Sequence, residues 1–220
     1  MSEATPPAEK ARKIRLPSLY AIVDSAFFPG DSDRVSRIAD FAAELVAAGV
    51  NLLQYRNKGG SARHMLSEAR ELRRRLGPDV RLIMNDRADL CLAAAFDGVH
   101  LGQEDLSLEG ARLVVGRKLL IGISTHTLDQ VRAAARTSAD YIAVGPVFPT
   151  TTKLGSDPPL GLDGVRAARV LTEKPLVAIG GINRANCLSV INAGANSVAV
   201  ISDLLQEPGK SVAQFRSVLG

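Results

Sequence analysis

The chain has 220 residues, of which 46% are apolar and 4% aromatic, and 27 basic against 23 acidic side chains give a net charge of +4. This length suits one domain with a sizeable core. The few aromatic rings and the mild, dispersed positive charge argue against a nucleic-acid-binding surface. The longest apolar run, residues 90–96, is far too short to cross a bilayer.

Residues 1–16 are charged and contain prolines, but no apolar segment of the kind that a signal peptide needs. We therefore expect a flexible N-terminal tail at 1–16, a single catalytic domain at 17–220 and a cytoplasmic protein. Cys91 and Cys187 lie far apart in apolar helical patterns, and we expect both to be buried free thiols of a reducing compartment. The oligomeric state stays open, and a homo-oligomer is compatible with the sequence.

From residue 19 onward, short apolar runs typical of buried strands alternate with segments of helical periodicity. The predicted strands are 19–23, 50–54, 81–84, 98–101, 119–123, 141–144, 176–179 and 197–201. The clearest helices are 34–48, 62–76, 128–137 and 184–193, with entry signals at Ser61, Thr127 and Asn183. This alternation predicts an α/β fold with an all-parallel sheet, closed as a single-domain (β/α)8 TIM barrel. An open doubly wound sheet is the alternative, although no GxGxxG follows the first strand.

The barrel prediction sorts the polar residues, because chemistry in this fold lies on the loops that follow the carboxyl ends of the strands. Gln54, Arg56 and Lys58 alternate after strand 2, so their side chains should point the same way at the mouth of the barrel. An amide, a guanidinium and an ammonium together suit a heavily charged anion. The alternative for this segment is a solvated strand end with surface ion pairs.

Two aspartates follow neighbouring strands of the predicted barrel. Asp86 comes after strand 3 and Asp105 after strand 4, near enough in principle to share a cation. Two carboxylates with phosphate oxygens and water form the usual ligand set of Mg²⁺. The alternative is that each aspartate caps the following helix, Asp105 in particular. After strand 5, Ser124 is placed to hydrogen-bond a ligand, and His126 is either a base or a structural side chain.

The stretch AVGPVFPTTTKLG, residues 143–155, places a row of hydroxyls and one ammonium directly after a buried strand. The loop 149–160 is rich in Pro and Gly, which is typical of a lid over a barrel mouth, and a plain surface loop is the alternative. Its candidate ligand-binding groups are the hydroxyls, backbone N–H groups and charge of Thr150, Thr151, Thr152 and Lys153.

Strands 7 and 8 end in small or hydroxyl-bearing residues. Gly180 and Gly181 let backbone amides approach a ligand closely, and Ser202 begins the last helix. Loops 7 and 8 with a helix N-terminus are the common phosphate site of this barrel. The sequence thus predicts a phosphate site at strands 7–8 and a polyanion and metal site at strands 2–5. We expect two small phosphorylated substrates to meet under one lid.

As a set, these residues resemble the thiamine phosphate synthase family over about residues 19–205. The matching segments, in order, are QYRNK, MNDR, DGVHLGQED, GISTHT, DYIAVGPVFPTTTK, AIGGI and VAVIS. The combination of HLGQED with GPVFPTTTK is the specific part. The resemblance implies a TIM-barrel transferase that joins 4-amino-2-methyl-5-hydroxymethylpyrimidine pyrophosphate to hydroxyethylthiazole phosphate, or its carboxylated form. The products would be thiamine phosphate and pyrophosphate.

The resemblance also implies a role for each group of residues. The pyrimidine substrate would be bound by Gln54, Tyr55, Arg56, Asn57, Lys58, Asn85, Ser124 and Lys153. The thiazole phosphate would be bound by Thr150, Thr151, Thr152, Gly181, Ile201 and Ser202. Mg²⁺ would be held by Asp86 and Asp105. The catalytic residues would be Arg56, Lys58, Ser124 and Lys153.

The residues support such a reaction, because loss of pyrophosphate leaves a cation that the electron-rich aminopyrimidine stabilises. This step needs charge neutralisation on the leaving group and a held acceptor nitrogen, but no strong protein nucleophile. One alternative is a thiazole tautomerase-like isomerase, which carries a histidine where this chain has Pro146. Another is a non-catalytic ligand-binding regulator on the same barrel. Asn57, where relatives often carry an acidic residue, leaves the details of pyrophosphate binding open.

Overall fold

The computed structural model describes residues 14–30, 33–150 and 158–220, in which eight parallel strands form a closed barrel in chain order. The strands are β1 (Leu19–Asp24), β2 (Leu52–Arg56), β3 (Arg81–Asn85), β4 (Gly98–Leu101), β5 (Leu120–Thr125), β6 (Tyr141–Val144), β7 (Leu176–Ile179) and β8 (Ser197–Val200). The pairing of β8 with β1, with Leu19 beside Val198, closes the ring. The predicted TIM barrel is confirmed, and the open doubly wound alternative is wrong.

Helices follow the strands and cover the outside of the barrel. They are α1 (Arg34–Ala47), α2 (Ala62–Leu76), α3 (Ala88–Ala93), α4 (Leu108–Val115), α5 (Leu128–Ala135), α6 (Gly161–Val170), α7 (Cys187–Asn192) and α8 (Pro208–Leu219), with short 3-10 turns at Ser25–Phe27 and Ser202–Leu204. Within the described ranges, no helix has the length and apolar character that crossing a membrane requires.

Two of the three predicted helix-entry residues are N-caps. Ser61 accepts a hydrogen bond from the His64 N–H at 3.3 Å, and Thr127 forms a reciprocal capping box with Gln130. The prediction for Asn183 is wrong, because its Oδ1 accepts from the Ala185 N–H at 2.9 Å and closes a turn. Helix α7 therefore begins at Cys187.

Four strands, β1, β2, β3 and β5, end later than the apolar runs that predicted them. Ladder pairing continues to Asp24 in β1, to Asn85 in β3 and to Thr125 in β5. Backbone hydrogen bonds hold a polar residue in a strand as well as an apolar one, so polarity alone did not mark these ends. The extension places Asp24 and Asn85 on rigid backbone at the mouth of the barrel.

The apolar residues form two clusters. The larger fills the space between strands and helices, and the smaller, which contains Tyr20 and Tyr141, fills the barrel interior. Ile14 and Leu16 pack against the interior cluster, so the end of the predicted tail contacts the barrel. Cys91 and Cys187 are buried free thiols, as predicted, and burial raises the pKa of Cys91 to about 12.

Arginines near the C-terminal ends of α2, α4 and α6 bond to a residue just before the second strand that follows each helix. Each donates to a side-chain oxygen at 2.5 to 2.9 Å, and that oxygen also accepts a backbone N–H of the intervening strand. The pairs are Arg73 with Asp97, Arg112 with Asp140, and Arg169 with Asn196. They lie at the end of the barrel opposite the mouth, the face that serves stability rather than catalysis in this fold.

Candidate active site

Arg56, the last residue of β2, and Lys58 beyond it are held by carboxylates at the ends of the neighbouring strands. Arg56 forms an ion pair with Asp24, the last residue of β1. Asp24 is 2% exposed, and its other oxygen accepts the Ala26 N–H at 3.0 Å, so it fixes the guanidinium at the mouth. Lys58 reaches across to β3, where its ammonium contacts Asp86. Gln54 points into the barrel, where it donates to the Tyr20 hydroxyl at 2.9 Å.

The side chains of Tyr55 and Asn57 do not join this group. Tyr55 donates to Glu68 of α2, and Asn57 Nδ2 donates to the same carboxylate at 3.1 Å. Asn57 Oδ1 accepts the N–H groups of Gly59 and Gly60 at 3.1 and 2.8 Å. Both side chains therefore lie on the outer face, away from the place that the resemblance implies. They fix the loop that carries Lys58.

This arrangement explains the amide at position 57. Glu68 is 3% exposed and is already paired with Arg34 at 3.0 Å. A carboxylate at 57 would face Glu68 across a short distance, whereas an amide donates a hydrogen bond to it. Burial, reinforced by Glu68, also raises the pKa of Tyr55, so the phenol remains a donor.

Asp86 and Asp105 lie side by side above β3 and β4, within hydrogen-bonding reach of each other. Asp86 adopts φ +61°, a left-handed conformation that Asp tolerates better than most residues, and its N–H donates to His100 O at 2.8 Å. Burial raises the pKa of Asp86 to about 6; Asp105 adds to this shift and Lys58 opposes it. Burial also works against ionisation of Asp105, but hydrogen bonds from Asp86 and the Gly102 N–H outweigh it and lower that pKa.

Neither aspartate is a helix cap. Ser107 caps α4 and accepts the Gly110 N–H at 3.1 Å, while Asp105 accepts the Gly102 N–H at 2.7 Å within its own loop. At α3 the N-cap position is Arg87, which makes no side-chain capping bond. The helix-cap alternative is therefore wrong for both carboxylates.

The pair suits a hard divalent cation. Burial and the contact with Asp105 both disfavour the ionised form of Asp86, and a cation between the two carboxylates would remove that cost. Groups of three or more potential protein ligands are absent from the described part of the chain. Mg²⁺ keeps water and binds one or two carboxylates together with substrate phosphates, so this donor set fits it.

Ser124 and Asn85 complete the mouth on its β3 and β5 sides. Ser124 Oγ lies 2.8 Å from His100 Nε2, and Gln103 Nε2 donates to Ser124 O at 2.5 Å. Burial lowers the pKa of His100 to about 4, so its imidazole is neutral. Asn85 Nδ2 is buried and finds no hydrogen-bond partner within the described ranges, which leaves this donor to a ligand.

A separate cavity of about 660 Å³ lies above β7 and β8, lined by residues that include Thr150, Gly181, Ser202 and Arg184. Gly181 has φ +63°. Ser202 begins the 3-10 turn that follows β8, and Ile201 packs against the barrel interior. Arg184 pairs with Asp203 at 3.0 Å on the rim. The remaining predicted loop residues, Thr151, Thr152 and Lys153, lie outside the described residues.

Sequence reasoning missed Asp24, Glu68 and the role of His100. Asp24 had a usable signal, because it directly follows the first predicted strand, at the end of the barrel where functional residues lie in this fold. Glu68 lies in a helix rich in charged residues, and His100 lies within a strand, so neither differs in pattern from surface or core residues.

A closed (β/α)8 barrel with basic side chains and paired carboxylates at one side of its mouth, and a cavity above β7 and β8, is typical of enzymes that act on phosphorylated small molecules. The family model of thiamine monophosphate synthase matches residues 19–204. The chain belongs to this family.

Relatives and solved structures agree with this assignment. The thiamine-phosphate synthase of Koribacter versatilis is 57% identical over 209 residues, covering 95% of this chain and 99% of the relative. The thiamine-phosphate synthase of Chloroflexus aurantiacus is 48% identical, covering 84% and 83%. The structure of a thiamine phosphate pyrophosphorylase from Pyrococcus furiosus superposes with a TM-score of 0.79 at 29% identity, covering 92% and 95%.

Proposed function

We propose that this chain condenses 4-amino-2-methyl-5-hydroxymethylpyrimidine pyrophosphate with hydroxyethylthiazole phosphate, or its carboxylated form, and releases thiamine phosphate and pyrophosphate. The observation that carries the proposal is the pairing of Asp86 with Asp105 beside Lys58, in a family member whose relatives make thiamine phosphate. The buried cysteines suit a reducing compartment, so a cytoplasmic location is part of the proposal.

The pyrophosphate end of the first substrate lies between Arg56 and Lys58 in this proposal. Both cations neutralise charge that develops as the carbon–oxygen bond breaks, and both are already oriented by carboxylates. Asp86 and Asp105 would hold Mg²⁺, which would supply further neutralisation of the leaving group. Lys153 adds charge from the loop after β6.

The two rings are held on opposite sides of the reacting carbon. Gln54 and Ser124 bind the pyrimidine, and the unpaired Nδ2 of Asn85 donates to this substrate. The thiazole phosphate binds in the cavity lined by Thr150, Gly181 and Ser202, where backbone N–H groups at a helical turn favour an anion. Ile201, Thr151 and Thr152, which adjoin these residues in the sequence, complete the proposed set of ligands. The thiazole nitrogen then attacks the pyrimidine cation without help from a protein nucleophile.

The tautomerase-like isomerase would need a histidine at the position of Pro146. The nearest candidate, His126, uses Nδ1 to bond Gly145 O at 2.7 Å, so that nitrogen is engaged by backbone. A non-catalytic regulator would not need the carboxylate pair together with Arg56 and Lys58.

Incubating the purified chain with both substrates, with and without Mg²⁺, tests the proposal. We expect thiamine phosphate and pyrophosphate in equal amounts, only with Mg²⁺ and only with both substrates present. Conversion of the thiazole phosphate alone would support the isomerase. Tight binding of either substrate with no product would support the regulator.

Gly181→Val should raise the KM for thiazole phosphate about tenfold or more, because a charge-assisted backbone hydrogen bond is lost. A Cβ at this position would lie 2.5 Å from Pro149 O and 2.8 Å from Phe148 Cβ, which displaces the loop that borders the cavity. Steady-state kinetics with each substrate varied in turn measure the effect, and Mg²⁺ dependence should stay the same.

Gly116→Val is the matched control, because Gly116 has a similar φ of +68° at the end of α4, with open space around its Cβ position. Both variants carry the same backbone strain. If the two raise KM equally, Gly181 has no special place at the phosphate.

A further inference from the structure

A continuous chain of hydrogen bonds crosses the interior of the barrel. Gln54 Nε2 donates to Tyr20 Oη at 2.9 Å, and Tyr20 Oη lies 3.0 Å from Tyr141 Oη. Tyr141 Oη lies 3.0 Å from His100 Nδ1, and His100 Nε2 lies 2.8 Å from Ser124 Oγ. Ser124 is partly exposed at the mouth, whereas Gln54 and the three middle residues are only 1 to 7% exposed.

A glycine in the sequence makes room for this chain of hydrogen bonds. A Cβ at Gly122 of β5 would lie 2.0 Å from Tyr141 Cζ and 2.4 Å from its hydroxyl. Glycine weakens a strand interior, and here its missing side chain makes the room in which the Tyr141 ring lies. That ring stacks on His100, with centroids 5.5 Å apart, and meets Tyr20 edge-on at 6.2 Å.

The hydrogen bonds of this interior network all run in one direction. Each tyrosine hydroxyl has one proton to donate, and an imidazole whose Nδ1 accepts a hydrogen bond carries its own proton on Nε2. In an unbroken row of such groups, all bonds must run the same way. Because Gln54 donates to Tyr20, Tyr20 donates to Tyr141, Tyr141 donates to His100 Nδ1, and His100 Nε2–H donates to Ser124.

This direction sets what the two ends offer a ligand. Ser124 Oγ accepts a hydrogen bond from His100 Nε2, so its own hydrogen is free to donate into the mouth. Gln54 donates one of its two amide N–H groups to Tyr20, so its Oε1 is available to accept. The Ser124 hydroxyl is thus set as a donor, and the Gln54 Oε1 is set as an acceptor.

We propose that Tyr20, Tyr141 and His100 are positioning residues that fix Ser124 as a donor and Gln54 as an acceptor, and so select a pyrimidine with an amino group beside an unprotonated ring nitrogen. The inference rests on the proposed function. A 4-aminopyrimidine offers an N–H at the amino group and an acceptor at the adjacent nitrogen. A 4-oxo analogue offers the reverse, and a site built for one hydrogen-bond pattern discriminates strongly against its opposite.

The tautomer of His100 gives a test that needs no substrate. In ¹⁵N-histidine-labelled protein, long-range ¹⁵N–¹H spectra distinguish a proton on Nε2 from one on Nδ1, and a His100→Gln variant assigns the signals. We expect the Nε2–H form in the wild type. A wild-type Nδ1–H form would overturn the proposal, because the chain would run in the opposite direction.

Ligand selectivity gives the second test. Calorimetry without thiazole phosphate compares the 4-amino pyrimidine pyrophosphate with its 4-oxo analogue. We expect the wild type to bind the amino compound about a hundredfold more tightly or better. Tyr141→Phe keeps the ring but removes the donor to His100, so the ratio should fall to about tenfold or less. Affinity for inorganic pyrophosphate should not change.

Thr172→Val is the control, because it removes a buried hydroxyl that accepts the Lys174 N–H at 3.1 Å before β7, at the end of the barrel opposite the mouth, and it should leave the ratio at its wild-type value. If Tyr141→Phe does not fold, Tyr20→Phe breaks the same chain one bond earlier and carries the same expectation. An unchanged ratio in the folded variant would refute the positioning role. If the wild type binds neither pyrimidine compound, the proposed function fails, while the tautomer result still decides the direction of the chain.

Discussion

Replacing Asp86 or Asp105 by asparagine is expected to lower the rate of thiamine phosphate formation at least about a hundredfold, because charge neutralisation by a metal contributes several kcal/mol. Each change keeps the shape and most of the hydrogen bonding of the side chain, and neither aspartate caps a helix. The stability of the fold should therefore change little. Initial rates and thermal unfolding of the same preparations measure the two effects.

The double variant should be little worse than either single one, since both carboxylates act through one ion. EDTA should abolish the wild-type activity, and Mg²⁺ should restore it. Asp129→Asn is the control, because Asp129 is an exposed carboxylate on α5, paired only locally with Arg132 among the contacts described. Wild-type activity that survives EDTA, or an Asp105→Asn enzyme that is unstable yet fully active, would refute the metal assignment.

Arg56→Met is expected to lower kcat/KM for the pyrimidine pyrophosphate about a hundredfold or more, because a charge-assisted contact to the leaving group is lost. KM for the thiazole phosphate should stay near its wild-type value. Arg166→Met is the control, since Arg166 is an exposed arginine on α6 that pairs with Asp163. Steady-state kinetics of both variants give the comparison.

A purely structural role for Arg56 predicts a different outcome. Arg56 neutralises Asp24, and its removal leaves a buried carboxylate unpaired. If that were its whole function, adding Asp24→Asn to Arg56→Met would restore activity. We expect the double variant to regain stability but to remain as slow as Arg56→Met. A double variant with wild-type kinetics would contradict the role of Arg56 at the pyrophosphate.

The side chains of residues 54–58, at the end of β2, show what the local sequence pattern can and cannot predict. Side chains in a strand point to opposite faces in turn, so Gln54, Arg56 and Lys58 were predictable as one group. The same rule puts Tyr55 and Asn57 on the other face, yet the resemblance implied them as ligands. Their contacts with Glu68 depend on where α2 packs, and sequence pattern alone does not give that position.

The sequence by itself determined the barrel, because eight apolar runs alternating with amphipathic helices can bury their surfaces together in few ways. It also determined which strand ends carry the basic residues and the two aspartates. Only the tertiary structure decided the partners: Asp24 with Arg56, Asp86 with Asp105, and the chain from Gln54 to Ser124. Tyr20 and Tyr141, for example, are 121 positions apart, and their hydroxyls meet only because β1 and β6 face each other across a closed ring. Local pattern sets the face on which a side chain lies, whereas barrel closure sets what it meets there.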